Sequence, residues 1–171
     1  MDNLILTIKS VWGNSLQKIS PERIKEYALS PTNETILLEV GLPLGNDLIS
    51  FYDESMMKAY TQECDTFFII GDDYGTQIGI SLNMNEKDEI YSFDIQNELP
   101  KRFINSDISK LFQFLMLYQP LKTSLVESTD EEASSIIAEI KSEFNKIDLK
   151  ALSNEDNWWS VVLKQHEEGM M

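Results

Sequence analysis

The chain has 171 residues, 42% of them hydrophobic and 25% charged, which is the composition of a globular protein and the length of one domain spanning 1–171. Its net charge of −15 argues against a nucleic-acid partner, because binding to phosphates depends on Lys and Arg. With one cysteine, no basic signal-peptide start and no apolar run near the roughly 20 residues of a membrane helix, the sequence predicts a cytoplasmic protein without a membrane partner.

The first third of the chain contains residues that are typical of helix starts and helix ends. Ser20 is a candidate N-cap, Pro21 stands at a first helical position, and Pro31 is placed beyond the end of that short helix. The apolar stretch that follows, 36–40, stops at a Gly-Leu-Pro sequence. It is either the end of a second helix or a short strand.

From residue 49 to residue 94 the apolar pattern has the period of strands. The runs ISFYDE, TFFIIG, IGISL and IYSFDI are separated by Gly, Asp or Asn. Connections this short join antiparallel strands, since a parallel pair needs a crossover of about a dozen residues or more. The sequence therefore predicts an antiparallel meander.

The remainder is predicted to be helical. NSDISKLFQFLMLYQP has helical apolar spacing and is expected to stop before Pro120. The next helix opens with Thr129 and Glu132 at capping-box spacing, and a short helix around Trp158 and Trp159 ends the chain. The predicted fold class is α+β, a twisted antiparallel β-sheet meander flanked by helices in a single domain.

The stretch FFIIGDDYGTQIGISLN has the strongest appearance of a chemical site. Asp72 and Asp73, with Asp88 further on, could supply oxygen ligands for Mg²⁺ in an enzyme, or the two adjacent acids could belong to a plain turn. Neighbouring residues of an extended strand point to opposite faces, which favours the turn, with Gly71 and Gly75 supplying the permissive φ angles. We expect no metal and no cofactor.

The sequence offers few side chains of the kinds that nucleophilic catalysis uses. The only histidine, His166, lies among acids near the C-terminal end, and Cys64 is the only thiol. We therefore expect no catalytic residues and no enzymatic activity.

The acidic residues are concentrated in the middle of the chain, where residues 61–100 carry nine acids and one base. Such a segment is either a solvated surface that keeps the protein soluble or an acidic face for a basic partner. On the second interpretation the candidate partner-binding residues are Asp65, Asp72, Asp73, Tyr74, Glu86, Asp88 and Glu89.

The order of these motifs resembles the SUKH superfamily, which includes Smi/Knr-type cell-wall regulators and many bacterial immunity proteins. The resemblance is strongest to its fourth subfamily and over residues 36–163. It is carried by a strand ending in Gly-Asp, the strands IGISLN and IYSFD, and the helix entry RFINSDISKLF, where Asn105 or Ser106 can cap the helix.

The resemblance implies an α+β fold without catalytic residues, and a binding protein that blocks a cognate toxin, often a nuclease. A basic toxin domain is then the expected partner, because a nuclease needs a basic surface for its substrate and an acidic inhibitor can occlude it. The alternative is a Smi/Knr-type regulatory or scaffold domain with an endogenous protein partner.

Overall fold

The computed structural model describes residues 2–97, 100–126 and 128–169, which form helices, short 3₁₀ turns and two antiparallel sheets. The helices are α1 (Asp2–Trp12), α2 (Pro21–Ile24), α3 (Pro31–Glu39), α4 (Ile108–Val126), α5 (Asp130–Ile147) and α6 (Trp158–Glu167). The strands are β1 (Leu16–Gln17), β2 (Leu42–Pro43), β3 (Ser50–Phe51), β4 (Lys58–Gln62), β5 (Asp65–Asp73), β6 (Thr76–Ser81), β7 (Ile90–Phe93) and β8 (Arg102–Asn105). The predicted α+β class is confirmed.

The main sheet contains the predicted meander, with β5, β6 and β7 side by side in chain order and every pair antiparallel. β8, in the stretch expected to enter a helix, adds a further antiparallel strand beside β7. The outer edge of β5 is covered by two strands in succession, β4 along its first half and β3 at its end. β1 and β2 form a separate two-stranded sheet. β5 and β6 therefore have a strand on each side and lie between β3 and β4 on one edge of the sheet and β7 and β8 on the other.

The two faces of this sheet are filled differently. One face presents aliphatic residues such as Ile78 and Ile80 toward the helices. The opposite face holds an aromatic cluster in which Phe67 and Phe93 stack with ring centroids 4.4 Å apart over Gly79. A Cβ on Gly79 would come within 2.9 Å of Phe67, so the absence of a side chain there is what lets the rings meet.

Two helix boundaries differ from the sequence expectation. Pro31 begins α3, with Ser30 as its N-cap, instead of lying beyond the end of a helix, and the open choice for residues 36–40 resolves as the end of α3. α4 continues through Pro120 to Val126 instead of stopping before it. The buried Leu121 holds that last part of the helix against the core, and tertiary packing outweighs the local cost of proline.

The polar residues before α4 tie three elements together. The N-cap of α4 is Asp107, whose carboxylate accepts the Lys110 amide at 2.9 Å, and the expected cap role of Asn105 or Ser106 is wrong. Those two residues bind Asp148 at the end of α5: the Ser106 amide and hydroxyl lie 2.8 and 2.9 Å from its carboxylate. The Asn-Ser pair therefore joins β8 to α5. The next residue, Asp107, caps α4, which starts at Ile108.

Within the described residues, no helix combines the length and the apolar character that crossing a bilayer requires.

Candidate functional site

The stretch that looked like chemistry is a tight hairpin between β5 and β6. Asp73 pairs with Thr76, so the loop consists of Tyr74 and Gly75, with φ angles of 46° and 115°. Positive φ at both loop residues is what a type I′ hairpin turn requires. The turn interpretation is confirmed, but Asp72 and Asp73 end the strand instead of sitting in the bend.

Gly71 has a different role from the expected one. It lies in β5 next to a register shift, its φ is not positive, and a Cβ there would come within 2.7 Å of the Ser50 carbonyl oxygen on β3. Gly71 therefore permits a close strand-to-strand approach, and of the two glycines Gly75 is the one with a positive φ.

The two aspartates point to opposite faces of the sheet, as adjacent strand residues do. Asp72 pairs with Gln77 and lies beside the Tyr52 hydroxyl, whereas the Asp73 carboxylate accepts the Trp158 indole N–H at 2.6 Å. A single cation cannot use both carboxylates. In the described part of the chain no group of three or more His, Cys, Asp or Glu side chains is placed to hold a metal.

The pKa of the Asp73 carboxyl group is raised above its ordinary value. Burial raises the pKa of its carboxyl group, and the nearby Asp72 acts in the same direction, against the Trp158 hydrogen bond and the charge of Arg102. Arg102 makes no ion pair within the described residues. Asp73 is thus a half-buried carboxylate that forms no ion pair with any described residue.

The acids at the other end of β5 are neutralised inside the molecule. Lys101 lies 2.9 Å from Asp65 and also bonds Glu86, while its ammonium group sits 4.7 Å above the Tyr91 ring. Burial lowers the pKa of Lys101, but the two carboxylates outweigh it, so the net shift is upward. We call Asp65, Glu86 and Glu89 with Lys101 and Lys150 the lysine end.

Glu89 and Asp88 are also engaged internally. Glu89 bonds Lys150 at 2.6 Å and accepts the Tyr91 hydroxyl at 2.6 Å. Asp88 is 8% exposed and accepts the Ser30 amide at 3.0 Å and the Asn33 side chain at 3.1 Å. Asp88 thereby connects the β6–β7 turn to the start of α3.

The remaining candidates, Asp72, Asp73 and Tyr74, form what we call the tip. Tyr74 is 90% exposed, and its hydroxyl donates to the Asp47 carbonyl oxygen over 3.3 Å. The tip and the lysine end lie at opposite ends of the nine-residue strand β5, about 25 Å apart at the rise of an extended strand. The structure thus separates six of the seven candidates into two places, and the seventh, Asp88, is buried between the β6–β7 turn and the start of α3.

The sequence matches the family model described as SUKH-4 immunity protein over residues 7–165. The chain belongs to the SUKH-4 immunity protein family. The resemblance to the fourth SUKH subfamily is therefore confirmed, and the match extends beyond 36–163 at both ends. No curated protein and no solved structure gives a significant match.

Membership of the SUKH-4 family indicates a role in toxin immunity and a protein partner, and immunity proteins of this kind are generally not enzymes. The lone histidine of this SUKH-4 chain makes a contact between two helices: Nε2 of His166 lies 2.6 Å from the Tyr118 hydroxyl on α4. Burial lowers the pKa of His166, and Lys122 adds to the effect. His166 joins α6 to α4.

The residues of this SUKH-4 chain that sequence reasoning missed are Trp158, Arg102 and Lys101. Trp158 was expected only to dock its helix, yet its indole N–H holds the Asp73 carboxylate 85 positions earlier in the chain. The adjacent tryptophans at the start of α6 were a visible signal, because an indole N–H that becomes buried needs an acceptor.

Proposed function

We propose that this chain is a non-enzymatic, cytoplasmic immunity protein that binds a cognate toxin and neutralises it by occupying the toxin's surface. The observation that carries the proposal is the family match over residues 7–165, which spans nearly the whole chain. Blocking by contact needs no catalytic group, and the proposal assigns none to this protein.

The charge of the chain supports a basic toxin domain, such as a nuclease. A nuclease binds its substrate with Lys and Arg, and a partner with a net charge of −15 is attracted to the same residues. Long-range attraction also raises the association rate, by 10- to 1000-fold in the strongest cases. Fast association suits an antidote that has to reach its toxin before the toxin reaches its substrate.

The two acidic regions support different contributions to binding. The tip offers an exposed aromatic ring beside two carboxylates, and exposed tyrosines are frequent in the energetically important part of protein interfaces. The lysine end already pairs Asp65, Glu86 and Glu89 with lysines, so those acids add to the overall field more than to direct contacts. We assign the contact surface to the tip.

Asp88 takes an indirect part in this proposal. Its carboxylate holds Ser30 and Asn33, so it fixes the turn that presents Glu86 and Glu89 and does not itself meet the partner.

Where a toxin gene lies immediately upstream of the gene for this chain, the proposal is tested by co-expressing the chain with that toxin domain. We expect restored growth, a stable complex on co-purification, and loss of the toxin's activity in the purified complex. A toxin that remains active and unbound in the presence of this chain would refute the proposal. Recovery of a host protein instead, at defined stoichiometry, would support the regulatory alternative.

A further inference from the structure

A groove of about 550 Å³ lies beside the tip, between the end of the β5–β6 hairpin and helix α6. Its walls include an acid and an aromatic residue from the tip, Asp73 and Tyr74, and the apolar side chains of Leu48 and Val161. Trp158 and Arg102 also line it. The size and the mixed lining are those of a site for one large side chain or a short segment.

One oxygen of the Asp73 carboxylate forms no hydrogen bond with the described residues of this groove. Oδ2 accepts the Trp158 indole N–H, and Oδ1 makes no hydrogen bond with the described residues. The two hydroxyls next to it are already used, because Thr76 Oγ1 and Ser92 Oγ lie 2.8 Å apart and Thr76 also contacts the Asp73 carbonyl oxygen. A half-buried carboxylate with a free oxygen is best satisfied by a cationic donor.

No cation of the described residues forms an ion pair with this carboxylate, although the charge of Arg102 acts on it from nearby. Lys101 lines the wall, but its ammonium group is held by Asp65 and Glu86 on the other face of the sheet. Arg102 is exposed and forms no ion pair in the described part of the chain, and two further acids, Asp94 and Asp156, line the groove. The unpaired charges of the lining are therefore negative on balance.

The remaining walls fit the rest of an arginine side chain. Leu48 and Val161 offer apolar surface to a methylene stem. The exposed ring of Tyr74 at the rim offers a face on which a planar guanidinium can stack. A lysine ammonium could reach the carboxylate but lacks the flat surface for that stacking.

We propose that this groove is a socket for an arginine side chain of the partner protein, with the guanidinium on Asp73 and the stem along Leu48 and Val161. The source of the arginine, a basic toxin domain, rests on the proposed function; the preference of the groove for a guanidinium rests on its own residues. Arg102 repels the incoming cation and so limits its affinity.

The experiment uses the chain alone and the indole N–H of Trp158 as the reporter, because that group bonds the carboxylate under test. The chain has three tryptophans, so the spectrum holds three indole signals, and Trp158→Phe identifies the relevant one. The probe is Nα-acetyl-arginine amide, titrated while ¹H–¹⁵N spectra are recorded. The matched neutral probe is Nα-acetyl-citrulline amide, which has nearly the same shape without the charge.

We expect the arginine probe to move the Trp158 signal saturably and the citrulline probe to leave it in place. Asp73→Asn should weaken binding roughly tenfold or more, since a charged hydrogen bond becomes a neutral one. Asp72→Asn, the same change on the opposite face, should weaken it far less, since only a charge without direct contact is lost. Arg102→Gln should tighten binding, because it removes the repelling charge.

No saturable shift, an equal shift with citrulline, or unchanged binding by Asp73→Asn would overturn the socket. These outcomes are independent of the toxin. If the probe binds as expected and the co-expressed toxin remains active and unbound, the proposed function fails and the socket stands. If the toxin is neutralised and the probe does not bind, the socket fails and the proposed function stands.

Discussion

The two ends of strand β5 carry acids of the same kind in opposite electrostatic states. At the lysine end, Asp65 and Glu86 share Lys101, and the ion pairs lie against aromatic rings. At the tip, the Asp73 carboxylate accepts the neutral Trp158 indole N–H and forms no ion pair with the described residues, and burial raises the pKa of its carboxyl group. Both local sequences are acidic, yet the acids at one end are paired with lysines and Asp73 at the other end is not.

This difference shows why acid content alone does not mark a binding surface. A carboxylate that is already paired must lose its lysine before it can meet a partner, whereas an unpaired one gains from the encounter directly. The comparison makes stability the expected role of the lysine end and recognition the expected role of the tip.

The largest effect on stability is expected from Lys101→Met, which keeps an apolar side chain over the rings and removes the charge. Asp65 and Glu86 would lose their cation, and Tyr91 its cation–π contact. We expect a loss of about 1–2 kcal/mol in the free energy of unfolding, measured by urea titration. Lys87→Met is the control, since Lys87 is exposed and forms no ion pair within the described residues. Equal losses in both variants would remove the distinction between the two ends.

Reversing the charge of the tip is expected to affect association. Asp72→Lys combined with Asp73→Lys should slow binding to the cognate toxin about tenfold at low salt and less at physiological salt. The control is Glu22→Lys with Glu26→Lys, which changes the net charge equally on exposed residues elsewhere. Stopped-flow kinetics at two salt concentrations measures both. If the control slows association as much as the tip variant does, steering comes from the net charge and not from the tip.

A smaller effect is expected from acid titration of His166 on α6. Its pKa is lowered from 6.5, so below pH 6.5 the unfolded chain takes up a proton that the folded chain resists, and stability falls until the folded pKa is passed. His166→Gln should remove that part of the decline in Tm between neutral pH and about pH 5. An unchanged pH profile in this variant would mean that burial and the charge of Lys122 do not keep the ring neutral.

The smallest effect is expected from Asp73→Asn, with the opposite sign. The pKa of Asp73 is raised from 3.8, so its ionised form costs stability at neutral pH, and the cost is relieved as pH falls through the folded pKa. Partial solvent screening keeps this small, and we expect Tm to rise by about 1–2 °C at neutral pH, with the gain lost in acid. A fall in Tm at neutral pH would show that the carboxylate is stabilising, as the lysine-end acids are.

The meander and the hairpin could be predicted from sequence because the apolar alternation of 67–83 is local and short connections permit only antiparallel pairing. The course of α4 through Pro120 could not, since the proline signal is local and the packing of Leu121 that outweighs it is not.

The candidate site shows the same limit. The six acids and Tyr74 all lie in the acidic segment 61–100, but what separates them is their partners at a distance. Lys101 reaches Glu86 from 15 positions away, Lys150 reaches Glu89 from 61, and Trp158 reaches Asp73 from 85. Long-range pairing of this kind leaves no period or spacing in the sequence.

The two-residue loop at the tip has a consequence for how such a protein can diversify. The backbone of Tyr74 and Gly75 is fixed by the hairpin register, while the Tyr74 side chain is almost entirely outside the fold. Its left-handed backbone admits Asn, Asp, His or Gly in place of Tyr at little cost to the framework. If the tip is the contact surface, as we propose, mutation at this one position changes which toxin is recognised at little cost in stability. A lineage under pressure from new toxins then has a route to new specificity that keeps its scaffold.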